Sequence, residues 1–145
     1  MRSKILKEQY DEFKAAALAS GLIEDVVLAK SAEQVERIIV DKDYRTLFVT
    51  ISDADIYTEV DVVVFSITIV DKTNDDDDSY LASVNDGLAL LRSITDTMNY
   101  QFNNEVRLNN IQVGSGISDN KLTTVVSCEF VFNVEYLPNI FTDGA

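Results

Sequence analysis

Apolar positions along the chain recur at helical spacing in two long segments and alternate at strand spacing in four others. Leu6, Tyr10, Phe13 and Ala17 fall at i, i+4, i+7 and i+11, which lines one face of a helix predicted over residues 3–20. Ser3 stands where an N-cap belongs, and Gly21 where a glycine ends a helix. Residues 22–30 follow no single period. Ser31, Ala32, Glu33 and Gln34 fit a capping box, which predicts a short helix to about Ile39. The run from Arg37 to Val40 reads equally well as a strand.

From Arg45 the period becomes two. Leu47, Val49 and Ile51 alternate with Phe48, Thr50 and Ser52, a predicted strand of about eight residues. Residues 53–58 read as a connection. Residues 59–71 read as a long strand, with Val63, Phe65, Ile67 and Ile69 on one face and Val62, Val64, Ser66, Thr68 and Val70 on the other. Apolar residues on both faces predict burial on both sides, by helices or by a neighbouring subunit. A polar loop, 72–78, leads into a second helix over residues 79–99. Tyr80, Val84, Leu88, Leu91 and Met98 form its apolar face, and Asp77, Asp78 and Ser79 suit its positive end. A strand follows over 104–113, then a turn at Gly114, Ser115 and Gly116, with Asp119 and Asn120 completing the loop. The last strand, 122–136, ends before Pro138. One of its faces carries Leu122, Thr124, Val126, Cys128, Phe130, Phe132, Val134 and Tyr136.

This order predicts an α+β fold: a mostly antiparallel four-stranded sheet with two long helices packed on one face. It predicts one domain over residues 1–145, with a short tail from about 137. A chain of 145 residues is long enough to bury a core without staples.

Composition removes several chemistries. There is no histidine, so Ser-His-Asp and Cys-His catalysis and His-ligated zinc are excluded. One cysteine, Cys128, excludes an internal disulfide and a cysteine metal cluster. The net charge of −13 opposes binding to a phosphate backbone or an anionic membrane surface. That charge is uneven. Residues 1–45 hold eight Lys/Arg and nine Asp/Glu, whereas residues 53–78 hold nine acids and one lysine. The N-terminal stretch lacks the apolar run of a signal peptide, and the longest apolar runs are about four residues. A cytoplasmic, non-membrane protein is the expectation.

The remaining candidate chemistry is acidic. The run from Asp75 to Asp78 invites a calcium reading, but registers from Asp71 or Asn74 lack the glycine and glutamate of an EF-hand loop. A solvated loop that caps the second helix is the expectation. Asp53, Asp55, Glu59 and Asp61 alternate on one face, as paired carboxylates for acid–base work would, yet no histidine or arginine joins them in sequence. Gly114 to Gly116 lacks the third glycine of a dinucleotide loop and the lysine of a phosphate loop, so a hairpin turn is expected. Cys128 reads as a small core residue. No catalytic residue, metal or cofactor is expected, and no enzyme activity.

In the order and character of its elements the chain resembles the tail-terminator family of tailed bacteriophages and neck proteins of similar fold. The resemblance rests on the N-terminal helix, the irregular stretch after it, the strand at 47–52, the longer strand at 59–71 and the acidic loop entering an amphipathic helix. It ends with two closing strands, the last carrying Phe130, Val131, Phe132, Asn133, Val134, Glu135 and Tyr136. The resemblance implies a structural virion protein of neck or tail that assembles in the host cytoplasm. It implies a homo-oligomeric ring of six or twelve copies that caps the tail tube and joins it to head or portal. It implies no catalytic motif. DNA passes through such a ring without sequence-specific binding, and an acidic lumen would let it slide.

Contact surfaces are expected in three places. The first is the 53–59 connection, with Asp53, Asp55, Tyr57 and Glu59. The second is the acidic loop, with Asp75, Asp76, Asp77 and Asp78. The third is the 114–120 loop with the tail after Pro138, bringing Ser115, Asp119, Tyr136, Ile140 and Phe141. Tyr57, Tyr136, Ile140 and Phe141 are the expected apolar anchors; Ile140 and Phe141 can alternatively fold back on the chain's own sheet. Two other classes compete with the ring. One is an acidic binding module or inhibitor that mimics nucleic acid and occupies a basic partner. The other is a carboxylate enzyme working through a divalent cation.

Overall fold

The computed structural model describes residues 6–39, 45–55, 61–102, 105–118 and 121–134. The fold is α+β. Helix α1 spans Leu6–Ala19, strand β1 Asp25–Leu28, helix α2 Ala32–Ile39, β2 Thr46–Asp55, β3 Asp61–Asn74 and helix α3 Asp77–Asp96. A single π turn, Thr97–Gln101, continues α3, and β4 (Glu105–Ser118) and β5 (Lys121–Val134) complete the chain. The strands form one mixed sheet in the order β1-β2-β3-β5-β4. The expected four-stranded, mostly antiparallel sheet is thus corrected to five strands, with β1 parallel to β2 and the other pairs antiparallel. β1 was hidden in the sequence because four residues are too few to display alternation.

The two long helices pack on one face of the sheet. Phe13 of α1 meets Phe65 and Phe130 edge-to-face, with ring centroids 5.8 and 5.1 Å away, and Phe65 tilts onto Phe132 at 4.6 Å. Leu90, Leu91, Ile94 and Met98 bring α3 and the π turn onto Val63, Ile67, Ile69, Val126 and Cys128 in the same core. These strand residues are the alternating set the period-two pattern assigns to one face. On the other face Thr46, Phe48 and Val70 are also buried, at the end of the sheet where the β1–α2–β2 crossover runs. A crossover between parallel neighbours must pass over one face.

Local chemistry sets the element ends. Gly21 follows α1 with φ 74°, the left-handed conformation that a Cβ disfavours. The ambiguous 31–39 stretch is helix α2, and its capping box is present in a shifted form. Ser31 Oγ accepts from the Gln34 amide at 3.2 Å, and Gln34 Oε1 accepts from the Lys30 amide at 2.7 Å. Asn99 in the π turn holds the start of β4, donating to the Val106 carbonyl at 3.2 Å and accepting its amide at 2.8 Å. The expected N-cap Ser3 lies outside the described residues.

Three expected connections are strand instead. β2 runs on through Asp53 to Asp55, because a bulge between Ile51 and Asp53 re-registers it on β3. Lys72, Thr73 and Asn74 stay paired with β5. Gly114, Ser115 and Gly116 are not a turn: they pair with Val125, Thr124 and Thr123. The β4–β5 connection therefore lies between Ser118 and Lys121, which pair with each other.

Candidate functional site

The sheet sorts the expected contact residues into two groups at opposite ends. Asp53 and Asp55 lie where β2 pairs with Val64 and Val62. Asp75 to Asp78 follow Asn74 at the far end of β3, about 40 Å away at the usual strand rise. These acids do not converge on one site. Ser115 lies toward the Asp75–Asp78 end, since Ser118 pairs with Lys121 and Lys121 with Asn74. Tyr57, Glu59, Asp119, Tyr136, Ile140 and Phe141 lie outside the described residues.

Four of the placed acids, Asp53, Asp76, Asp77 and Asp78, have a local occupation. Asp53 is exposed, and its Oδ1 accepts the Ala54 amide at 2.8 Å. Asp76 is the N-cap of α3: Oδ1 accepts the Ser79 amide at 2.8 Å and Oδ2 accepts the Ser79 hydroxyl at 2.9 Å. Those bonds, the backbone one first, hold its carboxyl below the ordinary aspartate range. Asp77 and Asp78 occupy the first helical turn, where the helix dipole favours negative charge. Among the described residues no three acid or cysteine side chains come together as a metal cage requires.

The polar centre that the fold does build lies elsewhere. Arg45, just before β2, donates from Nε and Nη2 to Asp71 Oδ2 at 3.2 and 3.0 Å. It also donates from Nη2 to Asp86 Oδ2 at 2.8 Å and from Nη1 to the Leu22 carbonyl at 2.7 Å. Ser83 Oγ donates to the same Asp71 oxygen at 2.8 Å. The group joins the segment after α1 to β2, β3 and α3, and is mostly buried. Its donors and acceptors are matched to one another, so it fastens elements. Sequence reasoning had no route to it, because its bonded partners are 12 to 41 residues apart.

Sequence reasoning also missed the edge of the sheet. β4 is an outermost strand, and residues 111–117 are all exposed. Ile111, Val113 and Ile117 present apolar side chains there, and on α3 so do Leu81 and Leu88. The missed signal was compositional: residues 111–118 hold no charge in a chain that is 26% charged. Cys128 is buried in the core, and burial pushes its thiol up to about 12, so it is no nucleophile. No described helix is long and apolar enough to cross a membrane. Compared with known proteins, the chain matches no protein-family model and no curated sequence.

Proposed function

We propose that the protein is a structural, ring-forming subunit of a phage neck or tail terminator, built to be stacked between neighbours rather than to turn over a substrate. The observation that carries this reading is the separation of two acidic runs. Asp53 and Asp55 mark one end of a sheet about 40 Å long, and Asp75 to Asp78 mark the other. A stacked ring needs one contact surface above and one below. Charge at each end would set orientation and association rate against basic patches on those neighbours.

The competing reading, a mimic of nucleic acid, calls for acids spread along one continuous face. Here the two acidic runs stand at opposite ends of β3 and the edge beyond the β4 bulge carries no charge, which favours the ring. The ring reading is tested by mass in solution, by light scattering at low and moderate salt, with negatively stained particles imaged alongside. A discrete species of six or twelve chains, seen as annuli, is the expected result. A chain that never exceeds a dimer, at high concentration and moderate salt, would overturn it.

A further inference from the structure

We propose that the outer edge of β4 pairs antiparallel with β4 of a second copy, about a two-fold axis passing through Gly114. The edge strand is 14 residues long and pairs only with β5 among the described residues. Among the described residues its other side therefore presents backbone N–H and C=O groups with no strand beside them, which are a template for another strand. Proteins usually protect such an edge with charge, proline or a bulge. β4 does so over its first half only. Glu105 and Arg107 are exposed there, and the strand is bulged between Asn109 and Gln112, with Asn110 at φ 54° bonded to Glu129. From the bulge onward, residues 111–118 carry no charge and no proline.

The occupant is argued from self-complementarity. The seven residues from 111 to 117 read Ile-Gln-Val-Gly-Ser-Gly-Ile. Antiparallel pairing about Gly114 sets Ile111 opposite Ile117 of the second copy, Val113 opposite Ser115 and glycine opposite glycine. Opposed residues share parity, so each pair stands on one face of the joined sheet. The overlap makes about six to eight backbone hydrogen bonds, whichever alternate set of groups faces outward. Nothing lies within 4 Å of where a Cβ would stand on Gly114 or Gly116, so the sheet face has room there for a side chain.

Helix α3 extends the seam. Asp86 faces Arg45 and hence β2. Leu81 and Leu88, a heptad apart, stand on roughly the opposite flank of the helix and so face the β4 side. Gly87 touches Val126, which pairs with Val113, so Leu88 lies level with Val113 and Leu81 with Ile117. Leu81 is 63% exposed and Ile117 64%. Charge points the same way. Two chains of net charge −13 repel over most of their surface, and an uncharged seam is where they can meet without opposing like charges.

The pairing does not rest on the ring reading. A ring closes through head-to-tail contacts, whereas this contact is two-fold; both together would give twelve copies. The test uses the full chain. Gly114→Cys places two thiols across the axis, within the reach of a disulfide, while Gly116→Cys places them about 14 Å apart. Oxidation with diamide should join Gly114→Cys into a covalent dimer and leave Gly116→Cys at least about tenfold less joined. The buried Cys128 does not compete. Val113→Lys or Ser115→Lys should weaken association about tenfold or more, although each lowers the net negative charge. Far-ultraviolet circular dichroism should be unchanged in both. Equal crosslinking of the two cysteine variants, or association untouched by both lysines, would overturn the proposal. Rings of six that survive the lysines would sink it and leave the ring reading standing. A dimer that the lysines dissociate, and that never grows further, would do the reverse.

Discussion

Arg45 joins three segments that the sequence holds far apart, and it does so with one guanidinium. Its Asp71 partner accepts from Arg45 twice and from Ser83 once through a single oxygen. Arg45→Ala leaves that carboxylate with Ser83 alone and takes the Arg45 donor from Asp86 and the Leu22 carbonyl. Removing one partner of a buried ion pair is strongly destabilising, and the partial exposure of Asp86 moderates it here. Urea denaturation should show a loss of about 2–4 kcal/mol for Arg45→Ala. Asp76 acts at the surface, and its effect depends on pH. Its carboxyl is lowered in the folded chain, so its contribution is complete above the unfolded value near 4. That contribution disappears as pH falls through the lowered folded value. Asp76→Ala should therefore melt below the parent at pH 7, and the gap should close as the solution is acidified toward pH 2. Asp76→Asn, which keeps a capping acceptor, should retain most of the stability at both pH values.

At the scale of elements, the sequence was most readable where burial is one-sided and long. Leu6 to Ala17 announced α1, and the odd positions from Val63 to Ile69 announced the core face of β3. Tyr80 to Met98 announced α3 as a helix but misplaced its buried face: Ser83, Gly87, Leu90, Leu91, Ile94 and Met98 are buried, Tyr80 and Val84 are half-buried, and the expected Leu88 is exposed. The misses share a cause: local pattern reports the environment of side chains, and pairing of the backbone leaves little trace in it. Gly114 and Gly116 looked like a turn because glycine usually marks one, yet long β5 supplied partners and held them extended. β1 is too short to alternate. The Arg45 cluster and the two bulges depend on register, which no single segment encodes. Gly87 is a further case. In mid-helix, alanine usually improves on glycine by about 0.5–1 kcal/mol. Here a Cβ would stand 2.8 Å from Val126 Cγ2 and 3.2 Å from Val126 Cβ, so α3 sits too close to β5 for it. Gly87→Ala should destabilise by about 1–3 kcal/mol in thermal or urea melts. The same change in a Val126→Ala background should be neutral or stabilising.

For the whole molecule, charge decides how copies approach one another. A net of −13 on a chain of this size gives strong mutual repulsion at low ionic strength. Screening shortens that repulsion to about 8 Å at 0.15 M salt, from about 30 Å at 0.01 M. Apolar and backbone contacts along an uncharged flank are not weakened by salt in the same way. The discrete assembly expected in light scattering should therefore grow more populated between those two conditions. Contacts through the acidic ends to basic neighbours should respond in the opposite sense. The placement of acids at the ends was visible only as two runs in the sequence; that they lie about 40 Å apart came from the pairing of β3.

The ladder between β3 and β5 runs from Asp61 opposite Val134 to Asn74 opposite Lys121 without a register shift, whereas β2 and β4 each break theirs once. This has a mechanical meaning. A force along the strands loads every bond of the β3–β5 ladder in shear at once, so they must fail together. The same force reaches β4 and β2 through ladders divided by a bulge, where shorter stretches can slip in turn. Under tension along the sheet the subunit should shed its flanks before its middle parts. The middle pair also holds most of the sheet's contacts to α3, so a strained molecule keeps its core while its edges give way.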